Sequence, residues 1–214
     1  TLRIRRLLDG EQPHQSVAFG CLLLGGIQHK LGRYDEAVKT YKESLRIFRR
    51  LCGRNEADVN VANMLVNIAG VLSDQGLGDR AMGKLEEAHE MYRELYGEDH
   101  ERCATVLMNM ANMHAARGVD DMYLAIQERV LDIRRRTNNG ENEGFATSLI
   151  NISNYYRAHD MHEESLSRLE EALGIVRRIH PEKTVLEGTC LYAIGNVYLS
   201  QEKSDEALDF YKKA

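Results

Sequence analysis

The chain has 214 residues, 43% hydrophobic and 29% charged, which suits a folded core and excludes a disordered polymer. Lys+Arg 28 against Asp+Glu 33 leaves a net charge of −5, without the basic footprint of a nucleic-acid binder. The longest uncharged apolar run, Val17 to Ile27, falls short of the roughly 18–20 residues that cross a bilayer.

The start of the chain lacks a signal-peptide pattern, because Arg3, Arg5 and Arg6 are followed by Asp9, Glu11 and His14. Only two prolines occur, Pro13 and Pro181, where average usage would supply about ten. With abundant Leu, Ala, Glu and Arg, this predicts an all-α protein. Cys21, Cys52, Cys103 and Cys190 are scattered and form no C-x-x-C, which fits buried free thiols in a reducing, cytoplasmic setting. The nearest approach to a metal site is His159 and His162 around Asp160. This pair falls where a helix should end, so neither a metal nor a cofactor is expected.

Five segments repeat along the chain: CLLLGGIQHKLGRYDEA, LVNIAGVLSDQGLGDRA, LMNMANMHAARGVDDMY, LINISNYYRAHDMHEES and LYAIGNVYLSQEKSDEA. A small residue recurs at Gly25, Ala69, Ala111, Ser153 and Gly195. A second column reads Ala37, Ala81, Tyr123, Ser165 and Ala207, and both columns step by 44, 42, 42 and 42 residues. The period divides the chain into a leading second-helix remnant (1–15) and repeats at 16–57, 58–99, 100–141, 142–182 and 183–214, the last truncated. Thr1 is in phase with Ser44 and Ala214, so a window of a longer array, with further repeats at both ends, is expected.

Each repeat reads as two helices of 3.6-residue period. In the second repeat Val61, Leu65, Ile68, Ala69 and Leu72 form one apolar face. Gly76 to Gly78 break the helix, and Ala81, Leu85, Ala88 and Tyr92 form the face of the next. Short connections make the two antiparallel neighbours. The third repeat departs from the pattern, with Tyr123 in the small-residue column and Gln127 where Tyr41, Leu85, Leu169 and Tyr211 stand, which suggests a shifted second helix. Asp160 and Glu202 replace Gly32, Gly76 and Gly118 at a position suited to positive φ. Arginines gather near the end of each second helix (Arg5/Arg6, Arg49/Arg50, Arg93, Arg135/Arg136, Arg177/Arg178), either as a binding stripe or as cations favoured by the helix dipole.

The pattern L-x-N-[IM]-A-x(6)-G-x(4)-A, seen in LVNIAGVLSDQGLGDRA, resembles the tetratricopeptide repeat. The 42-residue period and the tail YGEDHERCATVLMNMA are most similar to its kinesin light chain-like subclass. The resemblance covers the whole chain. It implies a right-handed superhelical solenoid of stacked antiparallel helix pairs, with first helices lining a concave groove.

No nucleophile elbow, P-loop or H-E-x-x-H motif is present, and the carboxylates fall on solvated helix faces, so no catalysis is expected. Asparagines inside helices are the unusual feature. Asn67, Asn109 and Asn151 form one column, Asn112, Asn154 and Asn196 another, and Asn63 precedes Asn67 by a turn. Asn costs about 0.5–0.7 kcal/mol relative to Ala in a helix interior, so repetition points to a use. An amide offers donor and acceptor together and can pair with an extended peptide backbone, the role that the resemblance implies for groove asparagines. The same amides could instead bond neighbouring helix backbones to hold the stack. Met108, Ile150 and Tyr192 form an apolar column beside them that serves as pocket or core, and Arg157 lies in a further groove column. The expected function is a protein-interaction scaffold for an extended or short helical peptide. A regulatory segment of a larger signalling ATPase and a self-associating spacer are the alternatives.

Overall fold

A computed structural model describes residues 15–53, 56–136 and 140–214 of the chain, so the leading remnant (with Arg5 and Arg6) lies outside the described residues. Among the described residues ten helices run in order: α1 Gln15–Lys30, α2 Tyr34–Cys52, α3 Val59–Asp74, α4 Gly78–Tyr96, α5 Glu101–Ala115, α6 Asp120–Arg136, α7 Glu143–Ala158, α8 His162–Ile179, α9 Val185–Ser200 and α10 Ser204–Lys213. No strand occurs among the described residues. The helices group into two compact units, one up to Arg117 holding α1–α5 and one from Gly118 holding α6–α10.

The helix ends follow the repeat. Asp58, His100, Asn142 and Thr184 precede α3, α5, α7 and α9, and each side chain accepts a backbone N–H of the first turn. The Asp58 carboxylate, for example, takes the N–H groups of Asn60 at 2.8 Å and Val61 at 3.0 Å. These caps are spaced by 42 residues, a column as regular as the apolar ones. Second helices have no such side-chain cap at Arg33, Leu77, Met161 or Lys203. They are launched by a left-handed turn that closes the first helix. Gly76 has φ +73°, and the N–H of Leu77 donates back to the Leu72 carbonyl at 2.8 Å, a Schellman arrangement. The same long backbone bond recurs at Arg33, Met161 and Lys203. Asp160 (φ 59°) and Glu202 (φ 61°) adopt the left-handed conformation without being glycine, because the turn requires it.

Within a pair, residue volumes compensate. A Cβ built on Gly25 would lie 2.7 Å from the Tyr41 ring, and one on Gly195 would lie 2.5 Å from the Tyr211 ring. Where the opposing column holds leucine (Leu85, Leu169), the small-residue column holds Ala69 and Ser153 instead. Buried hydroxyls reinforce the contact: Ser44 donates to the Ala18 carbonyl and Ser165 to the Ser153 carbonyl, both at 2.8 Å. The first unit's core gathers Ile47, Phe48, Leu65, Ile68, Leu85 and Tyr92; the second's gathers Leu149, Ile152, Leu169, Val176 and Ile194.

The third repeat's irregular residues are accounted for inside the second unit. Tyr123 is buried; its hydroxyl donates to the Asn151 carbonyl at 3.1 Å and its ring stacks on Tyr155 at 5.2 Å. The bulky residue thus ties α6 to α7. Arg134, about three turns further along the same helix, is also buried, and donates to the Gly144 carbonyl at 2.9 Å and to Ser148 at 2.7 Å. Gln127 is fully buried, and its amide makes no well-formed hydrogen bond, its nearest polar neighbour being the Tyr123 hydroxyl. Burial also pushes the Cys190 thiol up to about 11, so it stays protonated and unreactive at neutral pH.

Two stability measurements check this packing. Gly25→Ala should destabilise the chain by about 1–3 kcal/mol through overpacking, and adding Tyr41→Leu should recover much of that loss. Equal melting of the single and double variants would mean that the volumes are not coupled. Gln127→Leu should raise stability by about 1–2 kcal/mol in a urea titration, because it removes a buried, poorly paired amide.

Candidate functional site

The asparagine columns do not share one environment. In the first unit the Asn63 side-chain oxygen accepts the Tyr92 hydroxyl at 2.6 Å and an Arg102 N–H at 3.1 Å, so it links α3, α4 and α5. The Arg102 guanidinium also lies over the Tyr92 and Tyr96 rings, 5.6 and 5.9 Å from their centroids. Asn63 is part of the helix stack. Asn67 is half-buried on α3. Asn109, half-buried, and Asn112, exposed, both face a cavity of about 790 Å³ inside this unit.

Residues of α3, α4 and α5 build that cavity, with His29 of α1 at its edge. Ala69, Leu85 and Met113 contribute buried apolar surface. Asn109, Asn112 and Ser73 add neutral polar groups, and Asp74, Asp79 and Arg117 add charge. The cavity exists partly because Gly70 has no side chain. It stands 42 residues before Asn112, at the position that holds asparagine in the three later repeats. A Cβ there would meet only His29, at 3.9 Å. Two cross-links frame the space: the His29 imidazole pairs with the Asp74 carboxylate at 2.6 Å, and Arg117 donates to Asp79 at 2.7 Å. Gly78 leaves room for that arginine, since a Cβ on it would lie 2.9 Å from the guanidinium.

In the second unit Asn154 is exposed on α7 and Asn151 is half-buried, its carbonyl taken by Tyr123. Asn196 on α9 has its side-chain oxygen held by the Tyr211 hydroxyl at 2.7 Å, within the α9–α10 pair. Tyr192 is 56% exposed and packs against the Tyr211 ring, whereas Ile150 is buried in the core. Met108, in the first unit, is half-buried and does not line the cavity. Arg157 is half-buried, with its Nε lacking a hydrogen-bond partner. The sequence columns therefore mix two roles: Asn63 and Asn196 carry tyrosine hydroxyls inside the stack, while Asn109 and Asn112 border open space.

The other candidates of the sequence look different in three dimensions. Arginines at the second-helix ends are matched by carboxylates: Arg49 with Glu87, Arg177 with Glu187 at 2.8 Å, and Arg178 with Glu141 at 2.9 Å. These three are used as ion pairs; Arg5 and Arg6 lie outside the described residues. His162 lies 3.9 Å from Asp160, and His159 is engaged by the Tyr155 carbonyl at 2.9 Å. No group of three or more metal-ligating side chains occurs among the described residues. No described helix is long and apolar enough to cross a membrane.

Models of the tetratricopeptide repeat match residues 60–121 and 161–214, and related models of the same repeat match 21–54 and 103–142. No curated protein matches the sequence. Solved structures are similar in fold at low identity. BtubC (BKLC) from P. vanneervenii superposes with a TM-score of 0.81 at 18% identity, over 99% of this chain and 84% of its own. A kinesin light chain-type protein of Podosopora anserina with nearly identical TPR-like repeats gives 0.75 at 16%, over 94% of both chains. The Rap conjugation gene regulator of the plasmid pLS20, solved in complex with the Phr* peptide, gives 0.66 at 14%, over 88% of this chain and 49% of its own.

Differential scanning of single variants should separate the two asparagine roles. Asn196→Ala is expected to lower stability by ~0.5–1.5 kcal/mol, since the Tyr211 hydroxyl loses its acceptor. Asn112→Ala and Asn154→Ala are expected to raise it by a few tenths of a kcal/mol through helix propensity. A drop of the same size at all three positions would place the whole column in the stack.

Proposed function

This chain belongs to the tetratricopeptide repeat family, and from that premise we propose a non-catalytic protein-interaction scaffold that holds a peptide segment against its first helices. One observation carries the reading: the α3–α5 cavity sets the Asn109 and Asn112 amides beside an apolar floor of Ala69, Leu85 and Met113. Peptide recognition needs these two chemistries together, amides for the backbone and apolar pockets for side chains. The fold supports it by analogy, since the Rap regulator named above was solved with a peptide bound. An extended segment suits the amides better than a helical one, because a helix satisfies its own backbone groups.

A second reading, self-association or stacking on further repeats, is favoured by α1. Leu23 and Ile27 lie one turn apart on that helix, 70% and 57% exposed, and Leu31, just past its end, is 66% exposed. The residues in register with Ile27 in the second, third and fifth repeats (Val71, Met113, Val197) are buried. Such a face is suited to another helix pair of the same kind.

Selection of random displayed peptides on the full chain tests the first reading. Enriched peptides should bind the Asn109→Ala/Asn112→Ala variant about 5- to 150-fold more weakly, the equivalent of two lost hydrogen bonds of ~0.5–1.5 kcal/mol each. Gly70→Leu should block the same peptides by filling the cavity. Peptides indifferent to both changes would reject this site.

A further inference from the structure

Resting on the peptide-binding reading, we propose that the α3–α5 cavity selects its ligand: it takes an aliphatic side chain with a cationic residue, arginine or lysine, directly beside it. The apolar part follows from the floor. Ala69, Leu85 and Met113 offer carbon surface, and no Phe, Tyr or Trp lines the cavity, whose single ring is the His29 imidazole engaged by Asp74, so a branched aliphatic group fits better than a stacking partner.

The cationic part follows from charge and from unused acceptors. Two carboxylates, Asp74 and Asp79, line the cavity together with one guanidinium, Arg117, and the His29 imidazole. Lys30 and Arg80, the next residues along the chain from His29 and Asp79, are not among those lining it. Each carboxylate spends a single oxygen on its own partner: Asp74 Oδ2 pairs with His29, and Asp79 Oδ1 accepts from Arg117. The second oxygen of each has no protein partner among the described residues. A ligand cation can therefore be added without breaking either cross-link, whereas a ligand carboxylate on the remaining N–H groups of Arg117 would sit beside the Asp79 carboxylate that already holds it. An arginine or lysine of the ligand can pair with either free oxygen by a charge-assisted hydrogen bond. Asp79 is 96% exposed and Asp74 53%, so solvent screens both, and the preference is moderate and salt-sensitive.

The test uses the full 214-residue chain and three capped hexapeptides, Gly-Ser-Leu-X-Ser-Gly, with X as Arg, Gln or Glu. Titrations are followed by the side-chain amide resonances of Asn109 and Asn112, which report on this cavity and no other surface. The arginine peptide should bind about tenfold tighter than the glutamate peptide at low salt, with glutamine between them. The preference should shrink to less than about twofold in Asp74→Asn/Asp79→Asn, and also at 0.5 M salt, provided the variant melts like the parent. If that variant does not fold, Asp79→Asn alone, which leaves the His29 pair intact, should still halve the ratio or better. Equal binding of all three peptides would overturn the cationic selection and leave the peptide reading standing. A tighter glutamate peptide would overturn it too. If no peptide moves the two amides, the peptide reading fails and the selection falls with it.

Discussion

The helix pairs inside each unit depend on how closely their two backbones approach. Leucine or tyrosine on the second helix must find its space in the first, and the first helix supplies that space by shedding atoms. Opposite Tyr41 and Tyr211 only glycine fits; in register with Leu85 and Leu169, alanine and serine suffice. Interiors pack at crystal-like density, so one methyl too many forces the pair apart. Core, turn and repeat register all follow from this approach, because the two helices have to be launched and closed at fixed positions for small and large residues to meet.

That requirement explains the asymmetry of the helix ends. First helices start from a side-chain cap at Asp58, His100, Asn142 and Thr184 and finish in a left-handed residue whose turn launches the second helix. A reversal of so few residues cannot be built from right-handed conformations alone. Asp160 and Glu202 therefore accept a φ that costs an L-residue about 1–2 kcal/mol. The cost is local, and the burial it permits along a whole helix is larger.

The candidate site arises where the same periodicity is left incomplete. Asparagine at position 112 has its counterpart in Gly70, and the missing side chain leaves an open space bordered by amides, apolar carbon and two carboxylates. At Asn63 and Asn196 the side-chain oxygens are instead consumed by the stack, where each accepts a tyrosine hydroxyl. Function in a repeat protein is then a property of departures from the repeat, since the repeat itself is occupied with holding neighbours together.

Helix content and the small–large columns were legible in the sequence because each is local or periodic: 3.6-residue faces, glycine at the turns and a 42-residue step. The cap column at Asp58, His100, Asn142 and Thr184 was equally periodic, but its four residue types differ, so composition hid what backbone geometry unites. The roles of the asparagines were not legible. Asn112 and Asn196 occupy one column, yet whether an amide meets a tyrosine hydroxyl depends on the residue opposite, which is Tyr211 for Asn196 and is set by another helix. The destinations of Tyr123 and Arg134, and the pairing of each terminal arginine with a particular carboxylate, were likewise decided by neighbours distant in sequence. Local periodicity determines which residues form helices and which face is apolar. Only the tertiary packing of those helices determines which polar groups are already satisfied and which are left open to a ligand.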